Sequence, residues 1–260
     1  MHTYKLLIAY DGTAYCGWQI QPNGLSIQQV IQNVIQQVTQ QKATVIGSGR
    51  TDSGVHALGQ VAHFRTEKEL DLYRFHGSLN ALLPPDIRVL EVTEATPHFH
   101  AQFDAIGKTY RYHLLTRAIR DPMRRLYSYH VKERLNFDAI QEAAQLFLGT
   151  HDFTSFSNEA HKGAAAVDAV RTLNKLAILP SDDTVCLEFH ADGFLYKMVR
   201  NIVGTLLEIG EEKRPSSDVE RLLAAKDRRQ AGRTAPPHAL FLVRVDYPTT
   251  SLSEDKTLTP

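Results

Sequence analysis

The chain has 260 residues, 43% of them hydrophobic and 22% charged, with 29 basic and 29 acidic side chains and a formal net charge of zero. No apolar run approaches the roughly 20 residues of a membrane span, and Cys16 and Cys186 stand far apart with no C-x-x-C, so neither a disulfide framework nor a cysteine zinc site is supported. Zero net charge counts against a nucleic-acid surface spread over the whole molecule, but the basic residues cluster, at Arg117, Arg120, Arg124, Arg125, Lys132 and Arg134 and again at Lys226, Arg228, Arg229 and Arg233.

The first strand is expected over 4–10, with no signal-peptide pattern ahead of it, and a reducing cytoplasm is the expected compartment. Ile27, Val30, Ile31, Val34, Ile35 and Val38 recur at i, i+3, i+4 spacing and predict a helix over 26–40 with Ser26 as its N-cap. Strands are expected over 43–46 and 60–64. A helix-like stretch over 70–82 is stopped by Pro84-Pro85. Strands follow over 87–92 and 109–116, the latter with Tyr110, Tyr112 and Leu114 on one face and Arg111, His113 and Leu115 on the other. Asp121-Pro122 marks a turn, and a unit boundary is expected there, giving 1–120 and 121–248 with a polar tail over 249–260. In the second half a helix is expected over 136–148, ended by Gly149, then paired strands over 170–179 and 184–190. Helices over 195–209 and 215–226 and a closing strand over 240–246 complete the chain. Strands and helices interleave without a strict βαβ period, so the expected class is α+β (mixed α/β).

The segment Gly47-Ser48-Gly49-Arg50-Thr51-Asp52-Ser53-Gly54-Val55-His56 lies between two apolar runs. Three glycines in eight residues permit positive φ and close approach of a ligand or another backbone. Gly49 to Gly54 has the spacing of a phosphate loop, yet Val55 and His56 follow where Lys and Ser/Thr are needed; Asp52 also spoils the dinucleotide pattern. What is left is a glycine-lined loop presenting one acid, Asp52. The plainer reading is a hairpin connection closed by an Asx-turn.

Gly49-Arg50-Thr51-Asp52-Ser53-Gly54-Val55-His56-Ala57 resembles the signature of the TruA family of tRNA pseudouridine synthases. Further matching blocks follow in family order between residues 4 and 248: Tyr10-Asp11-Gly12, Gly17-Trp18-Gln19, Phe99-His100-Ala101, Lys108-Thr109-Tyr110-Arg111-Tyr112, Asp152-Phe153-Thr154-Ser155-Phe156, Met198-Val199-Arg200-Asn201-Ile202-Val203-Gly204 and Leu242-Val243-Arg244-Val245-Asp246-Tyr247-Pro248. One position departs: Gln102 stands where the family commonly has Arg.

The resemblance implies two sheet-plus-helix subdomains joined edge to edge, with the active site in the cleft between them. It implies isomerisation of uridine to pseudouridine in the anticodon stem-loop of tRNA, at positions 38–40, by base flipping, with no cofactor and no metal. A homodimer is implied as well. Asp52 maps to the catalytic Asp, acting as nucleophile or as base toward the sugar. Tyr110 maps to an active-site Tyr that stacks on the target base, although Tyr112 shares its strand face and either ring could instead be core packing. Arg200 maps to the partner of Asp52, against the alternative of a peripheral Arg reaching solvent. Arg50 maps to a residue that aids base flipping, against a plain ion pair with Asp52. Leu240 is expected to line the base pocket or the core, and Arg124 and Arg125 are candidates for phosphate contacts. His98-x-His100 invites a metal reading, but no third ligand with credible spacing accompanies it. A non-catalytic RNA-binding protein would be expected to lose Asp52 or Tyr110. A hydrolase built on Asp52 and a His would lack any G-x-S-x-G or zinc motif.

Overall fold

The computed structural model describes residues 1–158 and 168–248, so the expected tail over 249–260 lies outside the described residues. The elements are, in order, β1 (His2–Tyr10), α1 (Ile27–Thr39), β2 (Ile46–Gly47), β3 (His56–Thr66), α2 (Leu72–Leu82), β4 (Ile87–Ala95), β5 (Gly107–Leu115), β6 (Tyr129–His130), α3 (Phe137–Leu146), β7 (Gly149–Asp152), β8 (Val170–Ser181), β9 (Thr184–Ala191), α4 (Met198–Gly210), α5 (Asp218–Ala225) and β10 (Leu240–Asp246).

Alternation of buried and exposed residues along β1 and β5 gives each strand an apolar face, and the strands join into one sheet in the order β4-β1-β3-β10-β5-β9-β8-β7, with β2 on β3 and β6 on β5. Helices α1 and α2 pack in the half containing β4, while α3, α4 and α5 pack together in the half containing β7 and β8. The two halves meet at β10. This last strand runs parallel to β3 through Phe241 opposite His56 and Leu242 opposite Ala57, and antiparallel to β5 from Leu240 opposite Tyr112 to Asp246 opposite Gly107. The expected α+β class, with two sheet-plus-helix halves joined edge to edge, is what the chain adopts. The sheet is continuous across the 120/121 position: β5, from the first part of the chain, hydrogen-bonds along its length to β9 from the second.

Most elements form where pattern places them. Ser26 caps α1, its Oγ accepting from the Gln29 N–H at 3.2 Å, and Asp71 and Asn136 cap α2 and α3 in the same way. The expected strand over 43–46 is reduced to Ile46–Gly47. The reason is competition for backbone groups: the Gln28 side chain donates to Val45 O at 2.7 Å and the Gln32 side chain accepts from Val45 N at 3.2 Å. Side-chain amides of α1 therefore hold the approach to the loop over 47–56. The helix expected over 195–209 starts late, at Met198, because Lys197 adopts φ 62° just before it.

Two glycines in helices offer a test of this packing. A Cβ at Gly204 in α4 would lie 1.6 Å from Arg233 O, whereas a Cβ at Gly77 in α2 meets nothing within 4 Å. Gly204→Ala is expected to destabilise by about 1–3 kcal/mol, as overpacking against rigid backbone does. Gly77→Ala is expected to stabilise by roughly 0.5–1 kcal/mol. Thermal unfolding of both variants checks this, and equal effects of one sign would contradict the packing described.

Candidate active site

The loop over 47–56 is held from several sides before any ligand arrives. The Trp18 N–H donates to Thr51 O at 3.1 Å, and the backbone of Gly17 passes so close that a Cβ there would lie 2.5 Å from Thr51 O. Tyr10, buried at the end of β1, hydrogen-bonds through its hydroxyl to Thr51 Oγ1 at 2.8 Å, and burial pushes its phenol up to about 12. The Gln60 side chain donates to Gly49 O at 3.0 Å and accepts from Ser48 Oγ at 2.7 Å. The Ser53 hydroxyl donates to Tyr15 O at 3.1 Å. Asp52 O accepts from Val55 N at 3.1 Å across a turn in which Gly54 has φ 78°, the conformation that favours glycine at that corner. Val55 is 1% exposed, so its side chain anchors the end of the loop in the core.

Asp52 is thereby presented to Arg200. Arg200 Nη1 donates to Asp52 Oδ2 at 2.6 Å, with the two side chains 12% and 17% exposed. Arg200 sits in the first turn of α4 and is held by a reciprocal bridge: its Nε donates to Ala235 O at 2.7 Å and its backbone O accepts from Ala235 N at 3.0 Å. The segment carrying Ala235 is braced in turn by Arg228, which donates to Gly232 O, Thr234 Oγ1 and Asn201 Oδ1, each at 2.9 Å. Arg200 thus meets Asp52 and does not reach out to solvent. A half-desolvated charge-assisted pair of this kind fixes the direction of the carboxylate.

Tyr110 and Tyr112 share a face of β5, and the structure separates them. Tyr110 is 8% exposed, opposes Leu242 of β10 and Phe189 of β9, and meets Phe194 edge-on with centroids 5.0 Å apart. Burial first, then the neighbouring Tyr10 and Asp52, push its phenol well above the ordinary value, so the hydroxyl keeps its proton at neutral pH. Tyr112 is 0% exposed, and its hydroxyl donates to Pro236 O at 2.9 Å, next to the Ala235 carbonyl that holds Arg200. Leu240 is 5% exposed and opposes Tyr112 at the start of β10.

Arg50 is exposed and, among the described residues, forms no ion pair, so the plain Arg50–Asp52 bridge is replaced by Arg200–Asp52. Arg124 is bound by Asp183 at 2.9 Å and Asp121 at 3.5 Å, and Arg125 donates to Pro122 O at 2.9 Å. Arg117 meets the same two carboxylates, so Arg117 and Arg124 are neutralised within the chain. In the second cluster Lys226 pairs with Asp152, Arg229 with Asp227 and Arg233 with Glu211, while Arg228 is the structural brace described above. His100 Nδ1 accepts from the Gln102 and Phe103 N–H groups at 3.2 Å each and its ring stacks on Phe103. Among the described residues no group of three His, Cys, Asp or Glu could hold a metal ion. Gln60 and the Ala235–Pro236 backbone escape a reading of motifs, and Tyr10 and Arg228, though they fall in a matching block and a basic cluster, carry no expected role at the site. Only the polar side chains at 10 and 60, inside runs otherwise suited to buried strands, signalled that something there needed a partner.

The arrangement puts one oriented carboxylate, its guanidinium partner and a protonated phenol together under a rigid loop. That is the equipment for covalent or proton-transfer chemistry at a carbon centre. The family model for tRNA pseudouridine synthase matches residues 6–104 and 143–248. The chain is 54% identical over 248 residues to tRNA pseudouridine synthase A 1 of Protochlamydia amoebophila (strain UWE25), covering 95% of this chain and 97% of that protein. It is 46% identical over 247 residues to tRNA pseudouridine synthase A of Exiguobacterium sp. (strain ATCC BAA-1283 / AT1b), covering 95% and 98%. Among solved structures, a chain from a Cbf5–Nop10–Gar1 complex aligns with a TM-score of 0.36 at 12% identity, over 78% of this chain and 45% of that one. With the ordered motif blocks, the Asp52–Arg200 pair and these near-full-length relatives in agreement, the chain belongs to the tRNA pseudouridine synthase family.

Proposed function

We infer that the protein isomerises uridine to pseudouridine in the anticodon stem-loop of tRNA, without cofactor or metal, and that Asp52 is its essential carboxylate. The observation that carries this reading is the Asp52–Arg200 bond beside Tyr110, in a chain whose near-full-length relatives carry that name. In the reaction the N1–C1′ bond breaks, a C5–C1′ bond forms, C5 loses its proton and N1 gains one. Such a rearrangement is redox-neutral and asks only for a group to assist the sugar and groups to move protons. Asp52 faces the sugar, Arg200 holds its charge in place, and Tyr110 lies against the base once it has been extruded from the stack. Arg50, exposed and without a carboxylate partner, is free to enter the space the base leaves. Leu240, beside Tyr112 in the sheet register, lines the base pocket. Asp52 acts as nucleophile or as base, and the geometry suits both.

The reading extends to the partners and setting of the protein. It takes tRNA as substrate, works as a homodimer and resides in the cytoplasm. The division into units 1–120 and 121–248, carrying the catalytic loop and the Arg200 helix respectively, makes the site a meeting of the two. Limited proteolysis near 121 and sedimentation test these two points.

Labelled tRNA incubated with the protein, with and without EDTA, is expected to gain pseudouridine on the 3′ side of the anticodon arm equally in both cases. Asp52→Asn is expected to abolish conversion while tRNA still binds. Retained conversion would remove Asp52 from the chemistry. Tyr110→Phe is expected to bind tRNA nearly as well but turn over more slowly after the glycosidic bond breaks, whereas Tyr110→Ala loses stacking worth roughly 1–3 kcal/mol. Tyr112→Phe is expected to act differently, costing about 1 kcal/mol of stability through the lost bond to Pro236 O. Identical turnover defects at both positions would show Tyr110 to be a packing residue. Replacing Arg124 and Arg125 together by Ala is expected to flatten the salt dependence of binding by about 0.9 units of log–log slope per lost phosphate contact. An unchanged slope would confine the pair to its contacts with Asp121, Asp183 and Pro122.

A further inference from the structure

Two cations, Lys108 and Arg171, interact on the face of the sheet that carries Tyr110, and among the described residues neither is paired with an acid. In the sheet register Lys108 of β5 opposes Ala191 of β9, and Ala191 opposes Leu173 of β8. Opposed residues point to one face of a sheet, and so do residues two apart on a strand. Lys108, Tyr110 and Arg171 therefore share the face that carries the site. Lys108 Nζ donates to Ser48 O at 2.8 Å, at the root of the catalytic loop, and Arg171 Nη1 donates to Asp168 O at 3.3 Å. These partners are backbone carbonyls, and among the described residues neither cation is paired with an acid. On the opposite face the economy is different: Arg111 and Lys175 share Glu188 at 2.6 and 2.7 Å.

Each of the two cations fills space left by a glycine. A Cβ at Gly49 would lie 2.9 Å from Lys108 Nζ, and a Cβ at Gly193 would lie 3.3 Å from Arg171 Nε. Gly193 is followed by Phe194, whose ring meets Tyr110, so this space adjoins the place assigned to the extruded base. Burial first and the charge of Arg171 second push the Lys108 ammonium down to about 8. That is the direction expected where a cation is held near another with no counter-ion, and an anion placed between them would relieve the repulsion.

We propose that Lys108 and Arg171 form an anion subsite for a phosphodiester flanking the extruded nucleotide, separate from the Asp52–Arg200 pair. The proposal rests on the reading of the protein as an RNA-modifying enzyme. An extruded nucleotide swings its own backbone toward the pocket, so a phosphate must follow the base to the edge of Tyr110. A guanidinium and an ammonium are the groups that receive it, one as a fork and one as a point charge. Lys108 keeps two further protons for the phosphate while it holds Ser48 O.

The test uses a fluorescein-labelled anticodon stem-loop RNA and the full-length protein. Lys108→Met and Arg171→Gln, singly and together, are each expected to lower the log–log salt slope of binding by about 0.7–0.9 per lost contact. Lys108→Arg and Arg171→Lys are expected to keep the wild-type slope. A neutral methylphosphonate at the linkage beside the target uridine is expected to weaken binding to wild type several-fold, as loss of one phosphate contact does, and to leave the double variant nearly indifferent. Should Lys108→Met fail to fold, as read by thermal unfolding, Arg171→Gln and Lys108→Arg carry the comparison. Unchanged slopes, with the methylphosphonate penalty equal in wild type and variants, would overturn the subsite. Conversion of the same RNA by wild type is scored separately. Conversion with unchanged slopes defeats the subsite alone, and lowered slopes without conversion defeat the enzymatic reading alone.

Discussion

The bond between Asp52 and Arg200 joins residues 148 positions apart and ties the two halves of the molecule at the candidate active site. Neither side chain is positioned by its own segment alone. Asp52 depends on Tyr10, Trp18 and Gln60 gripping the loop around it, while Arg200 depends on Ala235 and, behind that, on Arg228. Removing either partner would leave a charge half-desolvated with nothing to answer it, a costly state. The pair therefore acts as a check on assembly: a chain that has not brought α4, the loop over 47–56 and the Ala235 backbone together cannot present an oriented carboxylate.

Distribution of charge follows from the same economy. Some of the acids and bases are spent on one another, as at Arg124 with Asp183, Arg233 with Glu211 and Lys175 with Glu188. The Arg124–Asp183 pair is partly exposed on both sides, and pairs of that kind contribute little to stability, so an RNA phosphate can displace that carboxylate at small cost. Affinity in a neutral protein must then come from a few cations that begin without an acid partner, and from stacking, more than from a broad positive field. Arg50, Lys108 and Arg171 are of that first kind.

Much of the fold was legible in the sequence because helices such as α1 carry their 3.6-residue period and caps in local residues. The boundaries that moved were those decided by distant partners: Val45 surrendered its strand hydrogen bonds to Gln28 and Gln32, and no local pattern records that exchange. At the site, Asp52 stands out as the only acid in a glycine-rich loop. The choice between Tyr110 and Tyr112 did not, since alternation puts both on one face and only the position of Pro236 O shows which hydroxyl is already taken. Likewise the basic clusters look available for RNA until Asp121, Asp183 and Glu211 fold back onto them.

The position of β10 has a consequence for how the molecule comes into being. Its seven residues are the last strand of the sheet, yet they lie between β3 and β5 in its middle. During synthesis both of those neighbours emerge long before the strand that separates them, and each waits with an open edge of N–H and C=O groups, the kind of edge that invites wrong pairing. Closure of the sheet is a long-range event in sequence, as Phe241 opposite His56 illustrates, and such contacts form slowly. Until β10 has emerged β3 and β5 have no strand between them, and a chain cut short before 240 lacks the strand that brings its two halves into contact.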